Sequence, residues 1–289
     1  MSKKLVSLIT DNEHKDLTVS DQLYADALRK AGCDVEAVVW DDPSWLQNDG
    51  PERADAVIFR SAWDTWQSEA RHQKYLDFIE TLDTRTRHLF NSADTVRWGL
   101  TKTGMADLTP LGIDMPVTVS VPTPAAADSV LAEQGWSRAV LKPAVGASGY
   151  GVTLIEKGKP AAPEIPPTPG PWLVQEFLPE IKNGELNVVL FNGQVSHMVR
   201  KTPAQGEWRS NWAFKPTWGT EPIESVAAET AQRALSFFAD TPLYARVDRV
   251  MIDGRFVVLE LELVDPSLFF VFEPDAASRF AAATLERIA

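Results

Sequence analysis

Leu141-Lys142-Pro143-Ala144-Val145-Gly146-Ala147-Ser148-Gly149-Tyr150-Gly151-Val152 is the stretch on which the reading of this chain turns. An apolar run ends in a lysine, three glycines follow at 146, 149 and 151, and apolar residues resume. Glycine lets the main chain pass close to an anion with its N–H groups turned inward, and Lys142 adds a point charge from the preceding strand. The order is G-x-x-G-x-G and a strand follows, whereas a dinucleotide fingerprint reads G-x-G-x-x-G and opens a helix. A P-loop would carry its lysine after the glycines. Taken alone, the stretch fits a flexible hairpin equally well.

Downstream, six prolines at 160, 163, 166, 167, 169 and 171 exclude a helix or central strand and predict a surface connector. Strands are expected at 172–178, 186–191 and 195–201, with Asn192-Gly193 turning the last two into a hairpin. A helix is expected over 225–239. The strands 244–252 and 255–264 then flank Asp253-Gly254, a second two-residue turn, and 275–288 reads as a helix.

That last hairpin carries Asp248, Glu260 and Glu262 among Val257, Val258, Leu259, Leu261 and Leu263. Side chains alternate along a strand, so Glu260 and Glu262 share a face, and the turn sets Asp248 roughly opposite Glu260. Three carboxylates in an otherwise apolar strand pair need a cation among them. Hard oxygen donors suit Mg²⁺, which binds a few carboxylates together with substrate phosphates. A solvated sheet face is the plain alternative. Arg200, Lys201, Arg209 and Arg246 bring positive charge to the same region, suited to phosphate oxygens or to surface ion pairs. Trp172–Pro179 could offer backbone groups to a base edge and Glu185 could accept from ribose hydroxyls, though a buried strand and a turn acid explain them as well.

Upstream, apolar runs of strand length at 5–10, 35–40, 56–60 and 88–91 alternate with helix-like segments at 21–31 and 72–82. This predicts βαβ units and a parallel sheet. Ligands of such sheets gather at the carboxyl ends of the strands, which places Asp11, Asp41 and residues 60–66 on a rim.

These pieces, in this order, resemble the ATP-grasp superfamily over roughly residues 90–270, and within it the glutathione-synthetase-like branch. Arg60-Ser61-Ala62-Trp63-Asp64, Ser196–Lys201, Gly206-Glu207-Trp208-Arg209, Ala245–Asp248 and Asp265–Phe270 are similar to the cyclo-ligases of cycloserine biosynthesis. The implied fold is α/β: an N-terminal parallel α/β unit over 1–92, a small subdomain with the Gly-rich loop over 93–170, and a C-terminal subdomain with the metal site over 171–289. ATP would lie between the last two.

The resemblance implies ATP contacts from Lys102 and Lys142, from Gly146, Ser148, Gly149 and Gly151 of the loop, and from Glu176, Phe177 and Leu178 of the hinge strand. Glu185 would hold the ribose and Asn211 the phosphates. Arg209, Arg246 and Lys201 would act in catalysis, and Asp248, Glu260 and Glu262 would hold Mg²⁺. Arg60, Ser61, Trp63, Asp64, His197 and Ser267 are the expected substrate contacts: an arginine suits a carboxylate and a tryptophan an apolar wall. The implied activity is ATP-dependent ligation of a carboxylate to an amine through an acylphosphate, on a small amino-acid-like substrate. Two departures from the family stand out. Glu262 occupies a metal position that is commonly Asn, and Asn187 stands where glutathione synthetases carry Arg.

A catalytically inactive ATP-binding regulator of the same fold is the alternative. An NAD(P)-linked oxidoreductase would need a G-x-G-x-x-G after Thr10, which is absent. With 28 Lys+Arg against 40 Asp+Glu the formal charge is −12, which repels a phosphate backbone and argues against a nucleic-acid platform. Cys33 is the only cysteine, so no intrachain disulfide, Cys-based zinc site or Fe–S cluster can form, and His14, His72, His88 and His197 lack ligand spacing. The apolar run 5–9 is too short for a signal core or a membrane span, so a cytoplasmic protein without membrane contact is expected, with a homodimer as one expectation for its assembly.

Overall fold

The structure, a computed structural model, describes residues 3–159 and 168–289. Most of the proline-rich connector, residues 160–167, lies outside the described residues. Among the described residues no helix is long and apolar enough to cross a membrane.

Strands β1 (Leu5–Thr10), β2 (Asp34–Val39), β3 (Ala56–Ser61) and β4 (Leu89–Phe90) form a parallel sheet in the order β2-β1-β3-β4. β1 and β3 are almost wholly buried, as expected of parallel strands covered on both faces. One face packs on helix α4 (Glu69–Arg85), begun by the Ser68 hydroxyl accepting from the Arg71 N–H, through Tyr75, Phe78, Ile79 and Leu82. The other meets α1 (Val19–Lys30), which is capped by Thr18 and carries Asp21 in its first turn. The C-terminal helix α8 (Asp275–Arg287) returns to this face and stacks Phe280 on Tyr24 with ring centroids 4.2 Å apart. Truncating such a buried ring costs roughly 3–5 kcal/mol.

Short helices α2 (Pro43–Gln47), α3 (Gly50–Arg53) and α5 (Ala93–Gly99) join these units. A 3₁₀ stretch, Lys102–Leu111, follows α5. Pro110 denies that segment an N–H, which weakens a continuous α-helix there.

The second sheet is antiparallel, ordered β5 (Thr118–Val121), β8 (Trp172–Glu176), β6 (Arg138–Pro143), β7 (Thr153–Glu156), with α6 (Ala127–Gln134) on its back. The third is antiparallel too. Its order is β11 (Thr217–Glu221), β10 (Gln194–Thr202), β9 (Glu185–Phe191), β12 (Tyr244–Ile252), β13 (Arg255–Glu262). Both expected two-residue turns are present, with Asn192, Gly193, Asp253 and Gly254 all at positive φ.

Alternation along β9 explains how the third sheet serves two neighbours. Leu186, Val188 and Leu190 face helix α7 (Ser225–Leu235). On the other face Val189 and Phe191 join the core of the first unit, while Glu185 lines the cleft toward the second sheet. Buried Asn91 fixes this junction: its amide nitrogen donates to the carbonyls of Tyr244 and Leu263, and its oxygen accepts from the Leu243 N–H.

Candidate active site

The cleft between the two antiparallel sheets contains about 1030 Å³ of atom-free space counted to its open mouth. Its floor is the β12–β13 hairpin. Asp248 lies directly across from Glu260, and Arg246 across from Glu262. The register slips just beyond Asp248, a bulge of the kind found beside functional sites. Ligand oxygens of Asp248, Glu260 and Glu262 lie within 4.8 Å of one another. Three hard carboxylate donors this close fit one or two small divalent cations and repel one another without positive charge.

Protein cations supply that charge in the structure. Arg246 forks onto Asp248, Nε to Oδ1 at 2.7 Å and Nη2 to Oδ2 at 2.8 Å, and reaches Glu262 at 3.3 Å. Lys102 Nζ stands 3.2 Å from Glu260 and donates to the Gly146 carbonyl at 2.8 Å. Burial opposes charge on Glu260, but Lys102, Lys142 and Arg246 outweigh it and hold the carboxyl down at about 2. Glu262 goes the other way. Burial and the neighbouring Glu260 push it up to about 7, against the pull of Arg246. Two carboxyls two residues apart thus hold their protons very differently.

Lys142, at the end of β6, donates to Gln175 at 3.1 Å, and burial lowers its pKa. Lys201 pairs with Glu185 and lies 3.9 Å from Asp248. Burial opposes charge on Glu185, yet Lys201 and the Ser210 hydroxyl, which donates at 2.6 Å, keep its pKa below the usual carboxylate value. Over this floor lies the Gly-rich loop, where Ser148, Gly149 and Gly151 all have positive φ. A Cβ on Gly149 would come 2.6 Å from Asn211 Oδ1, so this glycine permits the close approach of loop 204–214. Tyr150 packs on Trp66 of the N-terminal rim with centroids 4.5 Å apart.

The structure therefore gathers Lys102, Lys142, Gly146, Ser148, Gly149, Phe177, Leu178, Glu185, Lys201, Arg209, Asn211 and Arg246 with the three acids around one cleft. Gly151 and Glu176 fall just outside the lining. On β8, Glu176 alternates with Gln175 and shares the face of Trp172 and Val174, so only its backbone is placed for a ligand.

Other expected residues are engaged by the protein itself. Arg200 faces away from its neighbour Lys201 and is held by Glu221 at 2.6 Å. Arg60 does not present its charge at the rim. It is buried, pairs with Asp21 at 2.8 Å, donates to the Pro266 carbonyl at 3.0 Å and lies over the Tyr244 ring. Its buried counter-ion sits on α1, a long-range pairing that spacing along the chain does not show. Ser61 is likewise buried against Thr10, and Asp64 is bound by Arg71 and by Trp40 Nε1. Trp63 is tied through Nε1 to the Asp265 carbonyl. His197 is buried against the Leu268 carbonyl at 2.9 Å, and Ser267 meets Arg246 only through its own carbonyl. Residues that sequence reasoning passed over also line the cleft, among them Gln175, Ile181, Trp208, Ser210 and Leu259. Leu259 is there beside the bulge, for which periodicity gave no signal.

Comparison with known proteins agrees with this geometry. Residues 6–91 match the family model of the D-cycloserine synthetase DcsG N-terminal domain, and residues 115–244 match the ATP-grasp domain of prokaryotic glutathione synthetase. The cycloserine biosynthesis protein DcsG of Streptomyces lavendulae is 29% identical across 98% of this chain and 99% of its own. A probable alpha-L-glutamate ligase of Xanthomonas euvesicatoria pv. vesicatoria is 32% identical, over 42% of this chain and 43% of its own length. The crystal structure of D-cycloserine synthetase DcsG superposes with a TM-score of 0.81 at 25% identity, covering 99% of this chain and 100% of that one. D-alanine–D-alanine ligase from Bacillus anthracis shares the fold, with a TM-score of 0.70 at 11% identity over 99% and 97% of the two chains. Residues 115–244 thus read as a glutathione-synthetase-type ATP-grasp domain within an ATP-grasp fold, and over its full length the chain is similar to ATP-grasp ligases that form carbon–nitrogen bonds.

Proposed function

We propose that this ligase uses ATP and Mg²⁺ to activate the carboxylate of a small amino-acid-like molecule as an acylphosphate, which an amine then attacks to give an amide, ADP and phosphate. One observation carries the reading: Lys102, Lys142 and the Gly-rich loop face Asp248, Glu260 and Glu262 across one cleft. Cations and backbone donors opposite a carboxylate cluster are what a nucleotide triphosphate with its metal requires.

The three acids would hold Mg²⁺, which neutralises charge on the phosphates when bound. Arg246 and Lys102, now paired with those acids, would turn to phosphate oxygens. Lys142 and the loop N–H groups would bind phosphates from the opposite wall, and Arg209 and Asn211 would close from the third side. Phe177 and Leu178 supply an apolar slot for the base, and Glu185 lies at the ribose end. Phosphoryl transfer then needs positioning and charge stabilisation rather than an enzyme nucleophile. Full-length likeness to the cycloserine protein, including its N-terminal unit, supports an amino-acid-derived substrate.

ADP release across a panel of amino acids, amino-acid derivatives and dipeptides tests the reading. Release with one carboxylate-bearing member, together with an amide product, is expected. Mg²⁺-dependent ATP binding without release across the panel would favour the inactive regulator.

A further inference from the structure

We propose that Glu207 is a positioning residue that presents the Arg209 guanidinium to the phosphate end of the cleft. The proposal rests on the reading above that Arg209 works on phosphate oxygens. Glu207 follows Gly206, whose φ is +82°, in a turn closed by its own N–H donating to the Ala204 carbonyl at 2.9 Å. Its Oε1 accepts from the N–H groups of Trp208 at 2.9 Å and Arg209 at 3.0 Å, and from Arg209 Nε at 3.0 Å. Its Oε2 accepts from Arg209 Nη2 at 2.9 Å. One carboxylate therefore fixes both the main chain that carries Arg209 and the plane of its guanidinium.

The remaining surroundings complete the clamp. The Phe214 ring covers one face of the guanidinium with its centroid 3.7 Å from Cζ, and Nη1 reaches toward the Val152 carbonyl at 3.4 Å, beyond the Gly-rich loop. Arg209 lines the cleft together with Trp208, Ser210 and Asn211, whereas Glu207 does not. A carboxylate beside phosphates would repel them; behind the arginine it leaves the second hydrogen of Nη1 and the outer hydrogen of Nη2 for the ligand. This is the arrangement by which an outer carboxylate orients a ligating side chain. Arg209 and the backbone donors hold the Glu207 carboxyl down at about 2, so it stays charged and acts by orientation rather than by proton transfer. Displacing a charge-stabilising group by about 1 Å can cost on the order of 10²-fold.

Calorimetric titration of the full chain with AMPPNP·Mg²⁺ and with ADP·Mg²⁺ tests this on Glu207→Gln, Arg209→Ala and the double variant. Arg209→Ala should weaken AMPPNP about tenfold or more, the scale of one charge-assisted contact, and leave ADP nearly unchanged. Glu207→Gln should reproduce at least half of that loss, on a logarithmic scale, for AMPPNP alone, and the double variant should match Arg209→Ala. A normal AMPPNP affinity in Glu207→Gln, with Arg209→Ala impaired, would overturn the proposal and spare the reading of Arg209. Equal losses for ADP and AMPPNP in Glu207→Gln, or a full further loss on top of Arg209→Ala, would show a merely structural role and overturn it too. Normal AMPPNP affinity in Arg209→Ala would remove the reading on which it rests.

Discussion

Arg246 holds Asp248 by two hydrogen bonds, 2.7 and 2.8 Å long, so a protein cation sits among the acids that would gather around a metal. Both residues are buried. Asp248→Ala should therefore do two things. It should remove the Mg²⁺ dependence of ADP affinity, and it should destabilise the fold by about 3 kcal/mol, because Arg246 loses its main partner in the interior. Urea unfolding and ADP titration with and without Mg²⁺ check the two effects separately.

Lys142 and Glu260 face each other across the cleft floor, and charge on each favours charge on the other. Lys142→Ala and Glu260→Ala should each reduce phosphate release by at least about 10²-fold, the scale of losing one preorganised charge in a water-poor site. Circular dichroism should stay native. Full activity in either variant would sink the site assignment.

Gly149 has φ +73° and its missing Cβ faces Asn211. Gly149→Ala should weaken AMPPNP binding by about tenfold, through roughly 1–2 kcal/mol of left-handed backbone strain and the displaced amide. Unchanged affinity would show that the loop and Asn211 do not need to meet.

How much of this was legible in the sequence follows physical range. The Lys142–Val152 loop, the two turns and the carboxylate hairpin are local, and each rests on a period of two or on glycine geometry. They appear where the residues imply, with Asp248 opposite Glu260. The partners of the rim residues were not legible, because they are distant along the chain. Arg60 answers to Asp21 on α1, and Trp63 to the Asp265 carbonyl, 202 positions away. An arginine at a strand end looks like a ligand contact until a buried counter-ion is found for it. Edge strand β11 was missed for another reason. It is short and carries Gly219 among half-exposed residues, so no alternation marks it.

Arg60 is held inside the protein by Asp21 and the Pro266 carbonyl, which predicts a role in stability. Arg60→Met leaves Asp21 buried with only the Thr18 hydroxyl beside it, and should cost about 3–5 kcal/mol in urea unfolding. Nucleotide affinity of the folded fraction should be unchanged. A variant with native stability and a raised KM for the carboxylate substrate would restore Arg60 to the substrate site.

His197 gives a pH signature. Burial lowers its pKa from 6.5 to about 4, against the Leu268 carbonyl that favours the proton. The folded state thus prefers the neutral ring. Its stabilising effect is complete above pH 6.5 and is lost as pH falls toward 4, with a slope of up to about 1.4 kcal/mol per pH unit. His197→Gln should flatten that part of the stability profile and leave ADP affinity intact. An acid limb identical to the wild type would contradict the assignment.

Isotope transfer tests the central claim most directly. A substrate identified by ADP release is prepared with ¹⁸O in its carboxylate, and the phosphate formed during turnover is analysed by mass spectrometry. Carboxylate activation by phosphoryl transfer predicts one ¹⁸O atom per phosphate, with ADP as the nucleotide product. Phosphate free of label, or release of AMP and pyrophosphate, would contradict it.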